Sequence, residues 1–415
     1  MKIGMIDVDL LNNGTRHPNL AQMKMSQFCK VKGHEVKLIY SDEDLNNLQD
    51  FNYLLVSKVF NFTPVPNQLQ YLIDNSGKTL KQMNQIELSK ELERYSINPP
   101  INTLIHIGGT GFFEDGGRDL EYEVEHTMPD YDLYLDYVQF KISQGREESY
   151  YADYIGCSIG FLTRGCFRQC SFCVNKKYKH TFLNTDNIYE FHKPGNKVIY
   201  LWDDNFLGFG HRCIKLLDKL IEVGVPFQFR QGLDIRLMDH DYADRFMKCK
   251  YHGDFIFAFD HIQDKDLIVE KLRIWRQHCN KETKLYVLCG YDSHCITDPK
   301  YYIHEGETID DKDYIDLCNT FERIYILMQN QCLPYIMRYH DYVYSKYRGM
   351  YIQLARWCNQ PSIFKKMSFR EFIERNLLYV KGNKCAATEA LRVFLEDHED
   401  FPNKYLDVKY SDYVN

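Results

Sequence analysis

Apolar residues along this chain fall in short dense blocks separated by polar stretches, the pattern of buried strands alternating with helices. The first block covers residues 2–8. After a polar loop with Asn12, Asn13 and Gly14, residues 19–32 carry helical spacing. Leu20, Met23, Met25 and Phe28 lie on or near one face, and Gly33 fits the left-handed position that closes a helix. Residues 35–40, 53–59 and 103–107 read as further strands, the last running into Gly108-Gly109-Thr110-Gly111. Strands alternating with helices imply a parallel sheet covered on both faces. Residues 115–154, rich in acids and tyrosines, read as a connecting stretch.

The alternation resumes at residue 155. Strand candidates are 155–162, 197–202, 226–231, 254–259 and 284–289, with helical stretches such as 213–223 and 242–249 between them. Repeated β–α units of this length predict a full or partial (β/α) barrel, with its chemistry at the carboxyl ends of the strands. Beyond about residue 310 the pattern is mainly helical and aromatic. The expected fold class is therefore α/β. A doubly wound Rossmann-like domain with linker covers 1–150, a partial barrel core 151–310, and a mainly helical region 311–415. No repeat at solenoid periods and no low-complexity tract is present.

Composition narrows the function classes. At 415 residues the chain exceeds one ordinary domain, and 44% hydrophobic residues are ample for real cores. A net charge of −7 gives no global pull toward nucleic acid, which leaves a local basic face as the only route to it. No apolar stretch of about 20 residues occurs, so no spanning helix is expected. The first residues lack the apolar core of a secretory signal. Fourteen cysteines without secretion point to reduced thiols and metal or redox chemistry in a cytoplasmic protein. Cys29, Cys213, Cys249, Cys279 and Cys318 stand alone in apolar or helical surroundings, where cysteine behaves as a small buried hydrophobe.

The decisive text is Gly160-Phe161-Leu162-Thr163-Arg164-Gly165-Cys166-Phe167-Arg168-Gln169-Cys170-Ser171-Phe172-Cys173, which reads C-x-x-x-C-x-x-C after a strand-like run. Thiolates hold iron–sulfur clusters, and a four-iron cluster normally uses four of them. Three in a tight loop leave one iron open unless a residue from elsewhere closes it. The rival reading is a zinc-stabilised binding protein with Cys157 as fourth ligand. Zinc sites usually pair two short hooks across a longer spacer, and here Cys157 is a single residue.

The motif resembles the radical S-adenosylmethionine (SAM) superfamily, down to Phe172 before the third cysteine. The preceding Thr-Arg-Gly-Cys resembles the branch with an N-terminal cobalamin-binding-type domain. The resemblance covers about residues 1–300 in order and spacing, with only the cysteine loop highly specific. It implies a [4Fe-4S] cluster on Cys166, Cys170 and Cys173 whose open iron chelates SAM. Reduction would then cleave SAM to methionine and a 5′-deoxyadenosyl radical that abstracts hydrogen from a substrate the sequence does not identify. A flavodoxin or ferredoxin is the implied electron donor. At the next strand end, Trp202-Asp203-Asp204-Asn205-Phe206 stands where relatives often carry Gly-Gly-Glu for the methionyl amino group; Asp203 or Asp204 is the candidate, with a polar turn or helix cap as the alternative. Gln231, Asp234 and Arg236 are candidates for the ribose, carboxylate or substrate, and an Asp234–Arg236 ion pair is the plain alternative. Asp260 is read as pointing inward, and Gly290, in Leu288-Cys289-Gly290-Tyr291-Asp292, would let backbone approach adenine. Cys289 and Cys295 lack a close-spaced hook for a second cluster.

The opening strand, loop and helix and the turn at 108–111 resemble a cobalamin domain, although the Asp-x-His-x-x-Gly sequence that supplies a cobalt ligand is absent. His17 lies near the right loop in the wrong context and reads as a surface or capping residue. Cobalamin would make methyl transfer to carbon the leading reaction; without it, rearrangement, oxidation or thiolation stays open. A radical SAM modifier of RNA or peptide normally brings a further three-cysteine set ahead of the core, where only Cys29 precedes Cys157. Arg338 and Arg356 could meet an anion or stack on aromatic rings, and Lys365, Lys366, Arg370 and Arg375 form a modest basic face best read as solvated helix.

Overall fold

The N-terminal apolar blocks fold as four parallel strands. The structure is a computed structural model that describes residues 1–12, 14–15, 17–75, 103–113, 116–175, 177–291, 309–375 and 385–414. The chain divides into two units. The first comprises Met1–Gln169, Cys173–Asp204 and Glu222–Gln228, and the second Cys170–Phe172, Asn205–Ile221 and Phe229–Asn415.

In the first unit β1 (Lys2–Asp7), β2 (Glu35–Leu38), β3 (Tyr53–Ser57) and β4 (Leu104–Gly108) pair in the order β2-β1-β3-β4, all parallel. Side chains alternate across the sheet. Ile3, Met5, Tyr53 and Leu55 meet Met23 and Phe28 of α1 (Leu20–Val31) on one face. Ile6, Leu54 and Val56 meet Leu69 and Ile73 of α2 (Asn67–Asn75) on the other. Cover on both faces is what an all-parallel sheet requires. The start of α1 is fixed by Asn19, whose side chain accepts the Gln22 N–H, and Gly33 takes φ 81° just beyond its end.

The tyrosine-rich stretch after β4 does more than connect. Tyr134, Tyr137, Tyr151 and Tyr154 join the core on the α1 face, with α3 (Leu135–Ser143) between them. Their hydroxyls have partners, Tyr134 on Asp7 and Tyr154 on Thr15, which lets the rings be buried. Farther along, β5 (Cys157–Gly160) leads into the short antiparallel hairpin of β6 (Thr163–Arg164) and β7 (Phe182–Leu183). The parallel partner of β5 is β8 (Val198–Leu201), with β9 (Phe227–Phe229) beside β8.

In the second unit α4 (Cys213–Val223) and α5 (His240–Lys248) precede a sheet of β10 (Phe255–Ala258), β11 (Thr283–Cys289) and β12 (Leu333–Arg338), parallel in that order. Between the strands run α6 (Lys265–His278) and α7 (Ile309–Gln329), and α8 (Arg348–Cys358) follows β12. Trp275 of α6 packs its ring edge-on to Phe255 and Phe257 and donates its N–H to Thr283. Strand β12 falls in the region expected to be mainly helical. Its Pro334 is tolerated because β12 is an edge strand, which needs one fewer ladder of donors. Among the described residues no helix is long and apolar enough to cross a membrane.

The β5 strand admits no side chain at Gly160, where a Cβ would stand 2.2 Å from Cγ of the buried Phe191 ring. Gly160→Ala is expected to lower unfolding free energy by roughly 1–3 kcal/mol through overpacking. Phe191→Leu added to it should recover part of the loss, both read from denaturant unfolding.

Candidate functional site

The three cysteines of the motif follow β6 on a stretch without regular secondary structure. Gly165 turns the chain into it at φ 83°, where a Cβ would lie 2.3 Å from the His180 carbonyl oxygen. Cys166, Cys170 and Cys173 are each half-buried and outside any disulfide. Backbone N–H groups point at two of the sulfurs, Arg168 N to Cys166 Sγ and Asn175 N to Cys173 Sγ, each at 3.4 Å. Gln169, at φ 47°, donates its amide to the Cys166 and Tyr178 carbonyls and braces the loop from behind. Among the described residues no three His, Cys, Asp or Glu side chains stand gathered as ready ligands of one ion. The donor set nevertheless fits an iron–sulfur cluster: three accessible thiols close in sequence, two of them already facing N–H donors of the kind that tune cluster sulfur.

The other thiols are built differently. Burial pushes Cys29 and Cys249 up to about 12, and Cys289 and Cys358 well above the ordinary thiol value, so they stay protonated. Cys157 is buried in β5 and donates its S–H to the Asp153 carbonyl at 2.7 Å, as a packed strand residue would. The zinc reading drew on this thiol as its fourth ligand. Cys295 lies outside the described residues.

Within the first unit, Asp203 and Asp204 hold the backbone that leads to the cysteines. Asp203 is fully buried and accepts the N–H groups of Leu162 and Thr163, at 3.3 and 2.6 Å, and the Thr163 hydroxyl at 2.7 Å. Burial outweighs those donors and pushes its carboxyl up to about 7. Asp204 is half-buried and accepts the Gly165 N–H at 2.6 Å through Oδ2. Trp202 packs edge-on to His17, and its Nε1 is buried without a hydrogen-bond partner. His17 itself has its Nδ1 2.5 Å from an Asp153 carboxylate oxygen.

Within the second unit, Gln231 is exposed. Asp234 caps the turn at 235–237 and pairs with Arg236 at 2.7 Å, and Arg236 reaches on to Asp264 at 2.8 Å. These groups are largely buried, so the pair is an internal clamp rather than a surface one. Gly290 takes φ 73°, gives its N–H to Asp316, and would put a Cβ 2.9 Å from Cβ of Tyr342. Its bare backbone thus accommodates Tyr342. Asp260 accepts the Leu288 N–H, and burial pushes its carboxyl up to about 6. Sequence reading named these aromatic residues singly and did not join them: Phe172 meets His261 and Tyr291 at ring-centre distances of 5.7 and 5.4 Å, and Tyr291 meets Tyr339 at 4.8 Å. The only signal was the aromatic ahead of the third cysteine. Arg338 stacks on Tyr342 and donates to its hydroxyl. Arg370 is paired with Asp407, and Lys365 with Glu282, which neutralises much of the basic face.

A carboxyl raised in the folded state stabilises the fold below its unfolded pKa and loses that contribution as pH rises through the folded value. The stability advantage of the wild type over Asp203→Asn should therefore narrow by roughly 1–2 kcal/mol between pH 5.5 and 7.5. Unfolding curves of both proteins at the two pH values measure it; a gap independent of pH would mean that Asp203 is ionised throughout.

No family model matches the chain, and no curated protein does. Among solved structures it is similar to the radical S-adenosylmethionine methyltransferase TsrM from Kitasatospora setae with cobalamin and a [4Fe-4S] cluster bound. That match has 12% identity over 81% of this chain and 74% of the other, at TM-score 0.48. The same enzyme with tryptophan substrate and the SAM analogue aza-SAM matches at 13% identity over 70% and 68%, at TM-score 0.42. At such scores a reaction does not pass from one chain to another, and the roles of residues here rest on the residues themselves.

Proposed function

We propose that this chain is a radical SAM enzyme in which Cys166, Cys170 and Cys173 hold a [4Fe-4S] cluster. The observation that carries the reading is the C-x-x-x-C-x-x-C loop itself, half-buried and irregular, with N–H groups on two sulfurs. Bound there, the cluster would supply one electron to SAM, whose cleavage gives methionine and a 5′-deoxyadenosyl radical. The chain's own residues would bind and orient. Asp204 spends one carboxylate oxygen on Gly165, and its other oxygen is our candidate acceptor for the SAM ammonium. Asp203 fixes the strand end beneath it. Gln231, Asp234, Arg236 and Gly290 are carried as cofactor-side candidates, with Asp234 and Arg236 acting through their clamp. A flavodoxin or ferredoxin is the proposed reductant.

The doubly wound sheet of the first unit is the fold on which cobalamin would sit, at the carboxyl ends of β1 and β3. There Asp9 accepts the Val59 N–H and Thr63 hydroxyl and pins the loop after β3. The nearby imidazole, His17, is held by Asp153, so cobalamin would bind without a protein histidine on cobalt. With cobalamin the proposed reaction is methyl transfer to carbon; without it, hydrogen abstraction leading to rearrangement, oxidation or thiolation.

The test is 5′-deoxyadenosine formation by anaerobically reconstituted protein given SAM and dithionite, with iron, sulfide and zinc measured on the same sample. Product is expected with the wild type and with Cys157→Ala, and is expected to fall to background with Cys166→Ala, Cys170→Ala or Cys173→Ala. Zinc in place of iron, or product that survives one of those three substitutions, would sink the assignment. A hydroxocobalamin titration followed by absorbance decides between the two reaction classes.

A further inference from the structure

The β10–β11–β12 sheet treats its two faces unequally. On one, Phe255, Phe257, Leu285, Val287, Cys289 and Ile336 are at most 3% exposed. The other is open. Ala258, Tyr286 and Tyr335 lie side by side in register, and Leu288 stands beside Met337 in the next row. Tyr335 is 43% exposed and Met337 45%. At the amino end of the strands the face is closed by the Lys284–Asp254 ion pair at 2.6 Å. At the carboxyl end it meets the aromatic wall of Tyr291 and Tyr339, which continues to Phe172, the residue before Cys173.

An all-parallel sheet ordinarily buries both faces, so exposed side chains in the middle of such strands call for something to cover them. The side chains present say what fits. Tyr286 and Tyr335 meet edge to face, 5.6 Å apart at 76°. Met337 adds a polarizable thioether, and Ala258 leaves room above it. The two rows carry no charged side chain of their own, and the Arg230 guanidinium acts on the Tyr286 hydroxyl from beside them. The nearest carboxyl, Asp260, is engaged with the Leu288 N–H at the rim. A flat ring system gains most here, because stacking and sulfur–aromatic contact both depend on a planar partner.

We propose that this open face binds a planar, apolar ring of the substrate. The inference rests on the radical SAM reading for the word substrate, and on the sheet alone for the ligand class. Placed against β11 and β12, the ring lies on the sheet whose carboxyl end carries Tyr291 and Tyr339, with Phe172 against Tyr291.

The probe is N-phenyl-1-naphthylamine, titrated by fluorescence into the full-length, cluster-reconstituted protein without SAM or reductant. Saturable binding is expected. Phenol should displace the probe about tenfold better than cyclohexanol, which matches it in size but is not flat. Met337→Asp and Tyr335→Ala should each weaken probe binding about tenfold, while Leu267→Asp, on the exposed side of α6, should not change it. Both target side chains are exposed, so the variants are expected to fold, as circular dichroism will report. Wild-type affinity in Met337→Asp would overturn the site. Equal displacement by cyclohexanol would overturn the planar class, and affinity that falls as the protein dimerises in light scattering would assign the face to a second copy of the chain. Probe binding needs no SAM cleavage. Binding without 5′-deoxyadenosine formation would therefore overturn the radical reading alone, and the reverse result would overturn this one alone.

Discussion

Residues 165–175, which carry the three thiols, form neither helix nor strand, so their backbone polar groups find partners outside any ladder, in side chains and water. That constraint organises the first unit. The buried Asp203 takes two N–H groups and a hydroxyl from residues 162–163, and Asp204 takes the N–H of Gly165. On the far side Thr181 donates to the Gly165 carbonyl, and Gln169 ties the Cys166 carbonyl to that of Tyr178. Removing a partner from a buried donor of this kind costs about 1–3 kcal/mol, more than a typical net hydrogen bond contributes. Two consecutive aspartates at the end of β8 thus hold the cysteine loop's entrance in place before any cofactor arrives.

A second tie joins the segment ahead of the cysteines to the N-terminal helix. Lys24 of α1 is 3% exposed and donates to both the carbonyl and the carboxylate of Glu125, which also receives the Asn184 amide; Asn184 in turn donates to the Phe161 carbonyl. Burial lowers the Lys24 pKa, and Glu125 opposes that shift. Buried ion pairs of this sort add little net stability and a large penalty for mispairing. Here the pair fixes which turn of α1 lies opposite Glu125 and the segment ahead of the cysteines. Arg164 stacks on Phe161, 4.1 Å from its ring centre, and its charge adds to the lowering at Lys24.

What could be read from the sequence was whatever is local. Apolar blocks gave β1, β3, β4, β8 and β10 to within two residues at either end, because a short dense run of apolar side chains marks a strand without long-range information. The cysteine spacing stood out for the same reason. Three things did not. Strand β12 was hidden by Pro334 and by Tyr335 and Met337, side chains that sit on an open face and so break the buried pattern. The tyrosines of 131–154 looked like a linker because their burial depends on hydroxyl partners such as Asp7 and Thr15, more than a hundred residues away. The third is the set of bonds that tie Asp203 and Asp204 to residues some 40 positions earlier, which leaves no trace in the sequence.

The two larger sheets make the functional argument by contrast. In β1–β4, alternate side chains find a helix or the tyrosine stretch on each side, and nothing large is left uncovered mid-strand. In β10–β12 the same alternation produces Phe255, Phe257, Leu285 and Val287 on one side and Tyr286, Leu288, Tyr335 and Met337 on the other, and only the first set is sealed by helices. Leaving rings and a thioether exposed forgoes about 25 cal/mol for each Å² of apolar surface not buried. A polar substitution at Tyr335 or Met337 would relieve exposure without disturbing the packed face, yet the chain carries two large apolar side chains there, in register with an aromatic neighbour. Stability alone does not favour that choice. A ligand that completes the sheet's second face does, because the area left open by the fold becomes binding energy when a flat ring covers it.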